Sequence, residues 1–210
     1  MIAPSWAQAT HPVTGRRIAG VMGMGGAPWL DRPEREREEQ PDRALDLLDL
    51  KPGMTVADVG AGVGYFVERI APRIAPGIAY ANDIQPRMLE LLKANMERAG
   101  LTNYRTVLGT ETDPKLPAGQ MDFILLVDVY HEFSQPQAML AGLRQALKPN
   151  GRLVLLEYKK EDPTVPIRPE HKMSVAEVKA EFEPEGFRLD KAITGKLPRQ
   201  HLLIFVKRVM

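Results

Sequence analysis

Two stretches of this chain carry residue types at spacings suited to chemistry. The first is Asp58-Val-Gly60-Ala-Gly62-Val-Gly64, three glycines at alternate positions behind an acid, with a second acid, Asp83, further on. Glycines so placed adopt backbone angles closed to other residues and let a ligand approach the main chain, so a small polar ligand is expected on this turn. The second is Asp128-Val-Tyr130-His131-Glu132-Phe133. His131 titrates near neutrality and is the candidate base, with Tyr130 and Asp128 as positioning groups; the alternative is a histidine that hydrogen-bonds backbone at a strand-to-helix turn. Glu157, Tyr158 and His171-Lys172-Met173 are expected on the same rim. Oxygen and imidazole ligands from Asp128, His131 and Glu157 would suit a metal, but no compact ligand spacing supports one and none is expected. His11 and His201 are read as structural.

The elements that position these groups follow from periodicity and breakers. Thr55 to Phe66 reads as buried strand, glycine turn and helix start, with the helix running from Phe66 to Arg73 before Pro76-Gly77. Ile78 to Asn82 is a second strand ending at Asp83, and Pro86 opens a helix that stops at Gly100. Tyr104 to Leu108 is a third strand. Asp122 to Asp128 is a continuous apolar run that suits a parallel strand buried on both faces. A helix from Ser134 or Pro136 through Leu147 is stopped by Pro149-Asn150-Gly151, and Leu153 to Leu156 is the fifth strand. Ser174-Val-Ala-Glu177 is a capping box opening a helix that ends near Gly186. Phe187 to Ile193 and His201 to Val209 form a final hairpin. Strand and helix alternate, so the fold class is α/β: one largely parallel sheet flanked by helices, its last strand antiparallel.

The totals bound the function. A chain of 210 residues, 44% hydrophobic, buries one substantial core without a second domain. Residues 1–40 are read as an N-terminal arm and candidate lid, because glycines and prolines break residues 1–33 and Glu34 to Glu39 is charged on all sides; Arg35 and Glu38 would reach a ligand if this segment covers the cleft. Twenty-eight basic against 27 acidic residues, interleaved, argue against a nucleic-acid partner. The absence of cysteine excludes disulfides, thiolate metal sites and cysteine nucleophiles. No apolar run approaches the ~20 residues of a membrane-spanning helix. Ala7-Gln8-Ala9 has the small-x-small form of a signal cleavage site, without the hydrophobic region of ~7–15 residues that should precede it.

A dinucleotide site calls for Gly-x-Gly-x-x-Gly, yet counting from Gly60 places Tyr65 where glycine or alanine belongs. The acid–glycine–second-acid combination instead resembles class I S-adenosylmethionine-dependent methyltransferases, with Val56 to Gly64 as their first motif. Residues 41–210 carry the resemblance, and Leu147 to Val154 is similar to the passage found in quinone-biosynthesis and other small-molecule methyltransferases. One departure is Asn150, where that passage usually has glycine; asparagine tolerates the same left-handed geometry.

The resemblance implies a Rossmann-like sheet of seven strands, S-adenosylmethionine as cofactor and a small-molecule acceptor, O- or C-methylated. It makes Asp83 the acceptor for both ribose hydroxyls, packs Ile84 on the adenine, and brings Asp58 to the turn or the methionine amine. It adds Gly60, Ala61, Gly62, Gly64, Tyr65 and Asp128 to the cofactor surface, gives the adenine amino group to Thr110 or Glu111, and puts Leu116 in an apolar wall. The prolines of amino-group methyltransferases are missing after Asp128, which argues against DNA bases as acceptors. A dinucleotide oxidoreductase and a protein that binds the cofactor without turnover are the alternatives. The cytoplasm is expected, with export the alternative if Ala7-Gln8-Ala9 is a signal remnant.

Overall fold

Short apolar runs buried on both faces cannot lie at a solvated edge, and the two strongest, Val56–Val59 and Met121–Val127, lie side by side in the middle of the sheet. The computed structural model describes residues 9–208, so most of Ala7-Gln8-Ala9, and Val209, fall outside the described residues. Its strands are β1 (Val56–Val59), β2 (Ala79–Asp83), β3 (Tyr104–Leu108), β4 (Met121–Val127), β5 (Leu147–Lys159), β6 (Lys172–Met173), β7 (Phe187–Ile193) and β8 (Gln200–Lys207). They form one sheet in the order β3-β2-β1-β4-β5-β8-β7, with the two-residue β6 against β5. The pairings from β3 through β5 are parallel, and β8 runs antiparallel to both β5 and β7. The expected mostly parallel sheet with an antiparallel C-terminal hairpin is present, β6 making an eighth strand.

The helices are α1 (Ala27–Leu30), α2 (Glu34–Glu39), α3 (Pro41–Asp46), α4 (Tyr65–Ile74), α5 (Pro86–Arg98), α6 (Pro136–Ala146) and α7 (Val175–Phe182). Alternate strand residues feed two core layers. Val56, Leu125 and Leu156 meet Leu45, Phe66, Ile70 and Leu92 from α3, α4 and α5. Ala57, Ile124 and Leu155 meet Leu140, Leu143 and Phe182 from α6 and α7. One boundary differs from expectation: β5 begins at Leu147, directly after α6, and includes Pro149-Asn150-Gly151. Leu147 pairs with Met121 and a register shift follows, so the proline falls in an irregularity where the ladder tolerates a missing donor.

The chain passes from β1 to β2 on one side, while β4 lies on the other, so a crevice opens beyond their carboxyl ends. The N-terminal segment crosses that edge. Arg16 Nε donates to Glu181 Oε1 at 2.9 Å and its Nη1 to the His131 carbonyl at 3.2 Å; the Ala19 amide donates to the same carbonyl at 3.0 Å. Met22 N donates to Glu132 Oε2 at 3.3 Å, and Gln85 Nε2 donates to the Met22 carbonyl at 3.0 Å. The segment is thereby tied to the loops after both β4 and β2. The Glu181 side chain is fully buried, so removing the Arg16 guanidinium leaves its charge with only the Thr14 hydroxyl and the His11 ring beside it. Arg16→Met is expected to cost about 3–5 kcal/mol in chemical denaturation and to speed amide exchange across residues 17–30, whereas unchanged exchange there would show that the arm is held elsewhere.

Candidate functional site

Register places the glycine turn. Val59 pairs with Asn82 on one side and Leu126 on the other, so Gly60 leaves the sheet level with Asp83 and Val127. The amides of Gly60 and Ala61 both donate to the Asn82 carbonyl at 2.9 Å. Gly60 has φ +74°, and a Cβ there would stand 2.3 Å from a Val129 methyl; at Gly62, φ +52°, it would stand 2.8 Å from Leu30 Cδ1. Asp83 lies across the turn, its Oδ2 accepting from Gly62 N at 2.9 Å and its Oδ1 from Gln85 N at 2.8 Å. These groups bound a cavity of about 610 Å³.

Of the residues expected at the cofactor, Asp58, Gly60, Ala61, Gly62, Tyr65, Asp83, Ile84, Thr110, Glu111 and Asp128 line this cavity. Gly64 does not line it. Its missing Cβ makes room for Leu92 and Met96 of α5, at 2.9 and 3.0 Å, so this glycine serves helix packing. Leu116 packs on the α6 layer instead of the wall, where Met88, Phe133 and Met139 stand. Arg35 reaches the cavity as expected, but Glu38 turns to Arg32 and Arg199. Sequence reasoning left out Met22, Trp29 and Leu30, which belong to a glycine-rich segment without periodicity, and Glu39, a charge in a charged run.

Six carboxylates line the cavity, Glu39, Asp58, Asp83, Glu111, Asp128 and Glu132, against three guanidiniums, Arg32, Arg35 and Arg168, an excess that suits a cationic ligand. Burial pushes the Asp58 carboxyl up to about 7; Arg35 opposes the rise and Asp83 adds to it. Burial likewise raises Asp83, against the amides of Gln85 and Gly62. Asp128 lies well above the carboxylate range through burial and the neighbouring charges of Glu39 and Glu157. Its φ is +47°, a conformation that costs a non-glycine residue about 1–3 kcal/mol. Gln200 Nε2 donates to Asp128 Oδ2 at 2.7 Å, while buried Asp128 Oδ1 and Gln200 Oε1 have no hydrogen-bond partner. The unmet Asp128 Oδ1, in a cavity rich in carboxylates, fits the ammonium group of an amino-acid-bearing cofactor.

The other end is built on the short turn after β4. His131 is buried, its Nδ1 at 2.6 Å from Glu157 Oε2 of β5 and its Nε2 at 3.1 Å from His171 Nδ1. Glu132 Oε1 is 4.0 Å from His131 Nε2. Burial alone would lower the His131 pKa, but the charge and hydrogen bond of Glu157 override it and the net shift is upward. Burial raises Glu132 to about 7, opposed by His131. Tyr130, the neighbour of His131, points the other way. Its hydroxyl is 3.3 Å from His11 Nε2, and its ring packs edge-on against Phe133 and Phe182, because consecutive residues of a tight turn diverge. Tyr130 is thus absent from the cavity wall, a correction to its expected positioning role. His11 and His201 are buried.

Residues 57–155 match the family of methyltransferase domains. The chain is 35% identical over 111 residues to protein-L-isoaspartate O-methyltransferase of Pyrococcus horikoshii, covering 53% of this chain and 47% of that protein. It is 31% identical over 140 residues to nocamycin O-methyltransferase of Saccharothrix syringae, covering 66% of this chain and 48% of the relative. The chain thus spans about half the length of the curated relatives it matches. Among solved structures it is similar to a SAM-dependent methyltransferase from Aquifex aeolicus, with a TM-score of 0.81 and 29% identity over 88% of this chain and 98% of that one. The strand order, the glycine turn with its facing acid, and these matches together support a class I S-adenosylmethionine-dependent methyltransferase.

Proposed function

We propose that the protein transfers the methyl group of S-adenosylmethionine to a small-molecule acceptor, by O- or C-methylation. The observation that carries the reading is the glycine turn with Asp83 hydrogen-bonded across it, opening on one acid-rich cavity. Bound there, the cofactor supplies a methyl group on a sulfonium, which an acceptor nucleophile displaces in line while the electron pair returns to sulfur. The residues of this chain then have separate duties. Asp83 accepts the ribose hydroxyls; Ile84 and Met88 pack on the base, with Thr110 or Glu111 at its amino group. Asp58 and Asp128 face the amine. The acceptor lies at the His131 end, where its departing proton leaves. Alignment supplies much of the rate in such a displacement, worth ~7–11 kcal/mol in favourable systems.

A small acceptor is supported by the roof. Val21, Met22, Trp29 and Leu30 of the arm close one side, and Pro166, Ile167 and Arg168 close another. We read the arm as a lid tied down at both loops that hold the site. A volume within the ~300–1,000 Å³ of ordinary ligand pockets admits a cofactor and a compact acceptor, while a polymer would have to displace the roof.

Three outcomes test this reading. Asp83→Ala should lower affinity for S-adenosylmethionine at least about 100-fold in calorimetry, from two charge-assisted hydrogen bonds at ~1.5–3 kcal/mol each; unchanged affinity would mean the carboxylate only caps the turn. Asp58 gives a pH signature. Its folded pKa, about 7, is above the usual 3.8, so its contribution to stability is present below that usual value and is lost as pH rises through 7. A bound cation favours the ionised form, so cofactor affinity should weaken by up to about tenfold per unit as pH falls below about 7. Asp58→Asn should flatten that profile and raise the melting temperature of the ligand-free protein at alkaline pH; a profile identical to wild type would remove Asp58 from the site. His131→Ala should lower kcat with cofactor affinity intact, and an unaltered turnover would exclude this end of the cavity from the reaction.

A further inference from the structure

His131, Glu132 and His171 each present one ligand atom within 4.8 Å of the others, and all three line the cavity. They come from two separate segments, the turn after β4 and the short turn before β6. The distance between the two imidazole nitrogens is that of ligation. Two nitrogens, each about 2.1 Å from one cation and subtending the roughly 90–110° of octahedral or tetrahedral geometry, stand about 3.0–3.4 Å apart. His131 Nε2 and His171 Nδ1 are 3.1 Å apart.

The surroundings add an independent observation. Glu157, fully buried on β5, holds His131 Nδ1 at 2.6 Å. A carboxylate only accepts, so Nδ1 carries a proton, and in the neutral ring the Nε2 lone pair is directed toward His171 and the cavity; a cation bound there displaces the Nε2 proton of the charged form. This carboxylate–imidazole pairing is the outer-shell arrangement that orients metal-bound histidines. Glu132 is held in the same way, its Oε2 taking the Met22 amide from the arm while Oε1 lies 4.0 Å from His131 Nε2. Oε1 has to draw in from this distance for one cation to meet all three groups.

We infer that His131, Glu132 and His171 form a binding site for one divalent transition-metal cation at the acceptor end of the cavity. Two imidazoles and one carboxylate suit Zn²⁺, Mn²⁺, Co²⁺ or Ni²⁺, whereas Mg²⁺ and Ca²⁺ take oxygen ligands. Three protein ligands leave positions open toward the cavity, the pattern of sites that bind substrate. Resting on the methyl-transfer reading, the cation gives the acceptor a chemical class: a molecule whose nucleophilic oxygen, an enol or phenol, binds the metal and loses its proton to solvent more readily. The contribution of His131 then runs through the cation it holds.

Metal uptake tests the site without methyl transfer. Chelator-treated protein is titrated with Co²⁺, followed by visible absorbance, and dialysed against Zn²⁺ for elemental analysis, with S-adenosylhomocysteine binding measured in parallel. The chain has four histidines and no cysteine, and His11 and His201 are buried, so competing sites are few. The expected result is one cation per chain, lost in His171→Ala and Glu132→Gln, and bound about 10–100-fold more weakly in Glu157→Gln. Each variant is checked by circular dichroism; should Glu157→Gln fail to fold, His171 and Glu132, neither of them fully buried, still decide the matter. Substoichiometric uptake, or a cobalt spectrum unmoved by His171→Ala, overturns the inference, and intact S-adenosylhomocysteine binding in that case leaves the methyltransferase reading in place. Stoichiometric metal without any S-adenosylhomocysteine binding would overturn that reading and leave the metal site.

Discussion

Backbone pairing of β1 with β2 on one side and β4 on the other holds Val59 level with Asn82 and Leu126, and the groups of the cavity inherit their positions from that register. A parallel sheet buried on both faces offers no polar surface along its length, so its polar chemistry gathers where the strands end. Gly60, Asp83 and Asp128 each follow or close a strand of this central trio. One turn of slippage in β2 would carry Asp83 away from the Gly62 amide and leave the glycines facing nothing. The second and third glycines of the motif illustrate how finely the turn divides its duties: Gly62 keeps the ligand side open beneath Leu30, while Gly64 lets α5 close against the start of α4.

Electrostatics is the second organising constraint. Buried carboxylates cost stability unless paired, and here Asp58, Asp128 and Glu132 are all raised, chiefly by burial. Glu39 shows what a satisfied acid looks like in the same place, since it accepts from Arg35, Arg32 and Tyr158. The contrast between that network and the unmet Asp128 Oδ1 separates the structural part of the cavity from the part reserved for ligands. Such reserved charge, like the left-handed backbone of Asp128, is a stability cost located at a site of function.

The arm joins the two halves of the site. Through Arg16 and Ala19 it holds the turn that carries His131, and through Met22 it links Glu132 of that turn to Gln85 beside Asp83. The proposed cofactor and acceptor ends therefore share one strap, which supports reading the arm as a lid.

Much of this was legible in the sequence because it is local. Alternating glycines, apolar runs and capping residues act over a few positions, so the strands, the turn, the helices and the acid at the end of β2 could be read directly, and Asp58, Gly60, Gly62 and Asp83 with them. The start of β5 was not, since Pro149 normally ends regular structure and only the register shift against β4 accommodates it. Nor could sequence say which way Tyr130 and His131 point, because a single turn separates a core phenol from a cavity imidazole. The sequence by itself determined the glycine turn between β1 and α4 and the acid at the end of β2, and it carried the resemblance that points to a methionine-bearing nucleoside cofactor. Tertiary structure alone decided that Glu157 and His171 converge on His131, and that residues of the 9–40 segment form a wall of the cavity, because these contacts join segments about 25 to 120 residues apart through packing that no local pattern encodes.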